Sequence, residues 1–198
     1  MRDFPLVILF SGNGSNMQNL YEQLHHKEFM GLRLCVCAVL CNNENAYGIT
    51  RAKALGARCL IISHHHKTRH EFETQLLQAL KPFAPKLCIL AGFMRILSPH
   101  FLQHYPAINI HPSLLPLFKG AHALKESFES NMKIAGVSVH WVSVELDSGA
   151  IIDQAAFHRE ETPTFESFEQ KIHALEYELY PRAVLQALQQ SFLKADME

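Results

Sequence analysis

The sequence predicts an α/β protein. The expected form is a single domain with a Rossmann-like, doubly wound, mostly parallel sheet, an antiparallel C-terminal extension and a long C-terminal helix. Two observations predict it. From Leu6 to Ile110 short apolar runs alternate with segments of helical period, the rhythm of repeated βαβ units. Beyond Pro116 the pattern changes to two strand-length stretches joined by a turn, followed by a long amphipathic segment. A chain of 198 residues, 48% of them apolar, fits one domain with a sizeable core.

The first strand is Leu6-Val-Ile-Leu-Phe10, a continuous apolar run of the kind buried on both faces. It runs into Ser11-Gly-Asn-Gly-Ser-Asn16, where the glycines allow close backbone approach and Ser15 or Asn16 is expected to cap a helix from about Asn16 to His26. A strand, a Gly-rich turn and a helix N-terminus make an anion site, because free N–H groups and the helix dipole converge there. The plainer reading is a tight βα turn; the stretch is neither a P-loop nor a full dinucleotide fingerprint. Leu32 to Leu40 and Arg58 to Ile62 are the second and third strands, flanking a helix from Ala46 to Leu55 that Gly56 stops. Thr68 caps a helix to Leu80, with the exposed-type Arg69 in its first turn. Pro82 and Pro85 break that helix, and Lys86 to Ala91 is the fourth strand. Ser98 and Pro99 open a short helix to about His104.

Ala107 to Ile110 is the next strand, leading into His111-Pro112. Residues i and i+2 of a strand share a face, so Asn109 and His111 project together at its C-terminal end, where open α/β sheets place ligands. An amide donor beside a titratable imidazole suits acyl-group chemistry: one donor holds a developing oxyanion and the other also moves a proton. An aligned imidazolium needs a carboxylate; Asp147, in a turn at the end of a strand, is the candidate, with Glu145 and Asp153 as alternatives by residue type alone. A helix from Ala121 to Ser130, a strand from Lys133 to Val144 and a strand from Ile151 to His158 follow. Thr164 caps a helix from Phe165 to Leu188, with Phe168, Ile172, Leu175, Leu179 and Val184 as its core stripe. Pro181 predicts a kink or break near Tyr180, and the tail beyond Leu188 is expected to fray.

Charge and cysteine usage narrow the class. A formal net charge of −1 gives no bulk attraction to nucleic acid or membrane, and no apolar stretch reaches the roughly 18 residues of a span. Five cysteines without framework spacing read as small core residues of a reduced, cytoplasmic protein. His64-His65-His66 reads as a solvated turn rather than a metal site, since consecutive side chains splay apart.

Four blocks then carry a resemblance: Gly12-Asn-Gly-Ser-Asn16, Ala91-Gly-Phe-Met-Arg-Ile-Leu-Ser-Pro99, Asn109-Ile-His-Pro-Ser-Leu-Leu-Pro116 and Glu145-Leu-Asp-Ser-Gly149. In this order, over Leu6 to about Val184, they resemble the phosphoribosylglycinamide formyltransferases, folate-dependent enzymes of purine synthesis. The resemblance implies that Asn109, His111 and Asp147 are catalytic. It implies that Gly14, Ser15 and Asn16 hold the substrate phosphate, and that Glu176, with His173 one turn earlier, binds the glycinamide ribonucleotide. Arg69, Met94, Arg95, Ile96, Leu97 and Asn109 would contact the folate. It further implies one formyltransferase domain over 1–198, with a phosphate-binding half (1–105) and a catalytic and folate-binding half (106–198). 10-Formyltetrahydrofolate would be a co-substrate, and no metal would be required. The partners would be small molecules, with no nucleic acid or membrane, and the protein a monomer or weak homodimer.

Two departures stand out. The loop Leu117-Phe-Lys-Gly-Ala-His-Ala123 has Lys119 and Ala123 where relatives commonly read Pro-Gly-x-His-Thr, and the stretch from Tyr105 to Asn109 is short. Methionyl-tRNA formyltransferases share the Asn-x-His block but carry an RNA-binding domain and a basic surface, and formyltetrahydrofolate deformylases carry an added N-terminal domain. Neither feature is visible in the sequence. A non-catalytic folate- or nucleotide-binding module would not need Asn109, His111 and Asp147 together.

Overall fold

The computed structural model describes residues 1–195 and divides into two compact units, Met1–Ile108 and a second from Asn109 onward, the boundary falling inside a strand. In the first unit, strand β1 (Arg2–Phe10) is central. It pairs in parallel with β3 (Leu32–Cys41) on one side and β5 (Leu87–Leu90) on the other. Each of Leu6 to Phe10 is fully buried, which is why the run carries no polar alternation. β2 (Glu28–Phe29), absent from the sequence reading, pairs antiparallel with the start of β3, and β4 (Cys59–Ile61) pairs in parallel with its end. Two residues are too few to leave a periodic signal.

Helix α1 (Ser15–Leu24) buries Met17, Leu20 and Leu24. Its N-cap is Gly14, at φ +76°, and no side chain caps it, so the expected cap by Ser15 or Asn16 is not formed. The conformation excludes a side chain at residue 14: a Cβ there would stand 2.6 Å from the Cα of Gly48. Gly48 opens α2 (Gly48–Ala54), which starts two residues later than expected. Helix α3 (Arg69–Leu80) has the full capping box, Thr68 accepting from the Glu71 N–H while the Glu71 carboxylate accepts from the Thr68 N–H. Helix α4 (Pro99–His104) is capped by Ser98, with Pro99 at its first position. Of the five cysteines only Cys41 and Cys88 are core; Cys35, Cys37 and Cys59 are half-buried.

β6 (Ala107–His111) crosses the boundary. In the second unit helix α5 (Ala123–Glu129) precedes β7 (Ile134–Trp141), which pairs antiparallel with β8 (Ile151–His158). β7 ends three residues short of Val144, and beyond it the Ser143 hydroxyl donates to the Glu145 carbonyl within the turn. Helix α6 (Phe165–Ala195) is capped by Thr164, whose hydroxyl accepts from the Ser167 N–H. It runs on past Leu188 through residues 189–195, so no frayed tail begins there; residues 196–198 lie outside those described. It also continues through Pro181 without a break. Buried Leu179, Tyr180, Ala183 and Val184 flank the proline and hold both turns in place, so the loss of one backbone donor is tolerated. Leu175 is half-buried, and Glu176 takes a buried place beside the stripe. No helix among the described residues is long and apolar enough to cross a membrane.

Close packing sets a testable limit. A Cβ on Gly136 would stand 2.0 Å from the Ala155 carbonyl oxygen across the β7–β8 pair, whereas one on Gly12 would meet nothing within 4 Å. Gly136→Ala is expected to cost about 3 kcal/mol or more and Gly12→Ala less than about 1 kcal/mol, read from urea unfolding midpoints.

Candidate active site

The site in the second unit starts from the end of β6. Pro112 stops the strand, and the following loop is fixed by a buried serine on β7. The Ser138 hydroxyl donates to the Ser113 carbonyl at 2.7 Å and accepts from the Leu115 N–H at 3.0 Å. Gln154 of β8 donates to both that hydroxyl and the Leu115 carbonyl. Ser113 in turn donates to the Leu117 carbonyl at 2.7 Å. These bonds deliver the Phe118 carbonyl to His111, whose Nε2 lies 2.8 Å away. A carbonyl only accepts, so Nε2 carries a proton. The imidazole is buried, at 5% exposure, and its Nδ1 faces the Asp147 carboxylate at 3.5 Å.

Asp147 sits in the turn after β7 at φ +49°, a conformation that favours Gly, Asn and Asp. Its Oδ2 accepts from the Gly120 N–H at 2.9 Å. Burial alone would raise its pKa. The neighbouring His140 ring, the Gly120 N–H and the His111 ring outweigh that, and the carboxyl is held below its ordinary value. It is therefore a carboxylate at neutral pH. Of the three carboxylates left open by residue type, the geometry brings Asp147 to His111, while Asp153 pairs with Arg182. Lys119, one of the departures in the loop, donates to the Ser148 hydroxyl at 2.6 Å and ties the loop to the Asp147 turn.

Sequence reasoning missed His140. It is 2% exposed, with Nε2 3.3 Å from Asn109 Nδ2 and 3.6 Å from Asp147 Oδ1. His140 thus stands between Asn109 and the Asp147–His111 pair. A signal was present: Ser138 and His140 are polar residues at i and i+2 of an otherwise apolar strand, which puts them on one inward face.

The remaining predicted residues fall in two places. In the first unit, Gly14, Ser15 and Asn16 form the N-terminus of α1, as the anion-site argument requires. Arg51 of α2, also missed, braces this loop: it donates to the Asn13 carbonyl and side chain, each at 3.1 Å, and to Gln18 at 2.7 Å. Nothing in the local sequence marks it, since its partners lie far away in the chain. Arg69 is exposed at the start of α3. In the stretch after β5, Met94 and Ile96 are exposed and Arg95 half-buried over the Phe72 ring, but Leu97 is buried as part of the core. Met94 N–H donates to the Ser11 hydroxyl at 2.8 Å, and Ser98 N–H donates to the buried Glu73 carboxylate at 2.7 Å, so the stretch is held at both ends. In the second unit, Glu176 and His173 pair on α6, with His173 Nδ1 2.9 Å from Glu176 Oε2.

An open cavity of about 740 Å³, lined by Ser130, Asn131, Lys133, His158 and Glu160 among others, lies at the far end of the β7–β8 pair from His140. Arg159, which also lines it, is committed to Thr162 and the Phe128 carbonyl. Among the described residues no cluster of His, Cys, Asp and Glu is arranged to hold a metal ion.

The chain matches the family model described as formyl transferase over residues 5–184. It is 35% identical to the phosphoribosylglycinamide formyltransferase of Escherichia coli over 182 residues, which is 90% of this chain and 84% of that one. It is 34% identical to the Bacillus subtilis protein of the same name, covering 92% of this chain and 93% of that one. Among solved structures, the phosphoribosylglycinamide formyltransferase of Campylobacter jejuni superposes with a TM-score of 0.89 at 53% identity, covering 94% of this chain and 98% of that one.

The His173–Glu176 pair yields a titration test. The Glu176 carboxylate holds the His173 imidazolium above the ordinary 6.5, against opposing desolvation. The pair's stabilisation is therefore fully present below about pH 6.5 and is lost as pH rises through the raised folded-state pKa. NMR titration is expected to place His173 above 6.5 in the wild type and to return it towards that value in Glu176→Gln.

Proposed function

We propose, from the premise that the chain belongs to the formyl transferase family, that it transfers the formyl group of 10-formyltetrahydrofolate to the amine of phosphoribosylglycinamide. The observation that carries this reading is the grouping of half-buried Asn109 with buried His111 and Asp147 around the His140 ring. The substrates are small molecules, and the folate is consumed in each turnover. We assign both units to one formyltransferase function and place the reaction in the cytoplasm. In this reading Gly14, Ser15 and Asn16 bind the ribonucleotide phosphate through the N–H groups of α1, with the loop braced by Arg51. Glu176 and His173 take the glycinamide end. Arg69, Met94, Arg95 and Ile96 contact the folate with Asn109, and Leu97 shapes that surface from beneath.

The glycinamide nitrogen attacks the formyl carbon, a C–N bond forms, and the carbonyl electron pair moves onto oxygen. Asn109 and His111 donate to that oxyanion. Asp147, a carboxylate at neutral pH, faces the Nδ1 atom of His111 and aligns the ring. The bond from the carbon to folate N10 then breaks, and the proton leaving the amine passes to N10, relayed through a water held by Asp147. For His111 to reach the oxyanion through Nε2–H, the Phe118 carbonyl must give way. Phe118 itself is at φ +53°, a conformation uncommon for an aromatic residue.

The test is formyl transfer by the purified protein, followed by folate absorbance. Release of tetrahydrofolate that depends on phosphoribosylglycinamide is expected. Release without the ribonucleotide would mean hydrolysis of the formyl group, and no release with it would exclude this acceptor. Asn109→Ala and His111→Ala are each expected to lower kcat by about a hundredfold to a thousandfold, the scale of a lost oxyanion donor.

A further inference from the structure

We propose that His140 is a positioning residue for Asn109, acting as a neutral imidazole with its proton on Nδ1. The role rests on the reading of Asn109, His111 and Asp147 as the catalytic set; the protonation state does not.

The hydrogen-bond partners assign it. His140 Nδ1 lies 2.9 Å from the Trp141 carbonyl oxygen, which can only accept, so Nδ1 donates. The Nε2 of a neutral ring then presents a lone pair. Asn109 Nδ2, 3.3 Å away, can only donate, and the two are complementary. Turning the Asn109 amide over would bring its oxygen against that lone pair, so His140 fixes which end of the amide faces inward. One Nδ2–H is thereby committed and the other remains for the oxyanion. The Asp147 Oδ1 atom is 3.6 Å from Nε2, beyond hydrogen-bond reach. A charged His140 would compete with His111 for that carboxylate; a neutral one leaves it to His111.

Two backbone features serve this arrangement. The β7–β8 register shifts between Val139 and His140, so that Val139 faces Asp153 and His140 faces Ile151. A bulge of this kind re-aims a side chain. Next, a Cβ on Gly149 would stand 1.7 Å from the Trp141 carbonyl oxygen, the same oxygen that accepts from His140. Only glycine lets the chain pass there. The turn that carries Asp147 to His111 thus also makes room for the carbonyl that sets the His140 tautomer.

The first experiment records long-range proton–nitrogen NMR spectra of the ¹⁵N-labelled wild-type protein near neutral pH, with His140 assigned by its loss in His140→Gln. The neutral Nδ1–H tautomer is expected; an imidazolium or an Nε2–H tautomer at that site overturns the proposal. The second is a kinetic cycle. His140→Leu is expected to lower kcat by about tenfold to a hundredfold, the scale of a misplaced reacting group, with KM for both substrates within about threefold. His140→Gln, which can still present an acceptor to Asn109, should recover most of that loss. In an Asn109→Ala background, His140→Leu should cost less than about threefold more. Full additivity of the two substitutions, or a loss confined to KM, overturns the positioning role. If Asn109→Ala alone keeps wild-type turnover, the catalytic reading fails and the role with it, and the wild-type spectrum still decides the tautomer. Should His140→Leu not fold, His140→Gln with the spectrum of the wild type carries the test.

Discussion

The carboxylate of Asp147 is the group around which the second unit is arranged. A buried charge is costly unless donors meet it, and here the donors come from separate parts of the chain. Gly120 N–H arrives from the loop after β6 and His111 from the end of β6, with the His140 ring beside them from the end of β7. Each of these segments needs a local device to get there. Asp147 and Phe118 take positive φ, Gly149 passes within contact of a carbonyl, and β7 and β8 slip register beside His140. Strain and irregularity concentrate at the site, while the β7–β8 pair keeps one register from Ile134 to Val139.

The first unit follows a different economy. Its sheet is buried apolar strand, and its polar features sit at the ends. Gly14 and Gly48 touch where no side chain fits, which brings the start of α1 against α2 and lets Arg51 grip the Asn13 loop. Ser11 and Glu73 hold the stretch between β5 and α4 at its two ends. Exposed Met94 and Ile96 then stand on a fixed backbone rather than a loose loop, which is what an apolar ring of a ligand requires of a contact surface.

Much of this was legible in the residues, and the failures share a cause. Periodicity located the parallel strands and the antiparallel pair, and residue type located the Thr68 cap of α3 and the Ser98–Pro99 start of α4, because those signals are local. The strand end carrying Asn109 and His111 stood out for the same reason. What escaped was set by distant partners. β2 is two residues long and exists only because β3 passes it. The N-cap of α1 went to Gly14 rather than Ser15 because Gly48 must approach it. Pro181 did not break α6 because flanking buried side chains outweigh one lost backbone bond. Asp147 could not be told from Glu145 or Asp153 by residue type, and the family likeness supplied what spacing did not. His140 is one polar residue in a strand of alternating apolar ones, and its partner Asn109 becomes its neighbour only in the fold.

The central claim is that Asp147 serves chemistry by aligning His111, not merely the fold. Steady-state kinetics of Asp147→Asn, with the unfolding midpoint measured on the same preparation, test it most directly. The substitution keeps the shape and an acceptor for Gly120 N–H while removing the charge. The account predicts a loss in kcat of about a hundredfold or more, with KM for both substrates within a few-fold and the folded protein retained. Turnover near the wild-type rate would contradict it, as would a loss that appears only in KM.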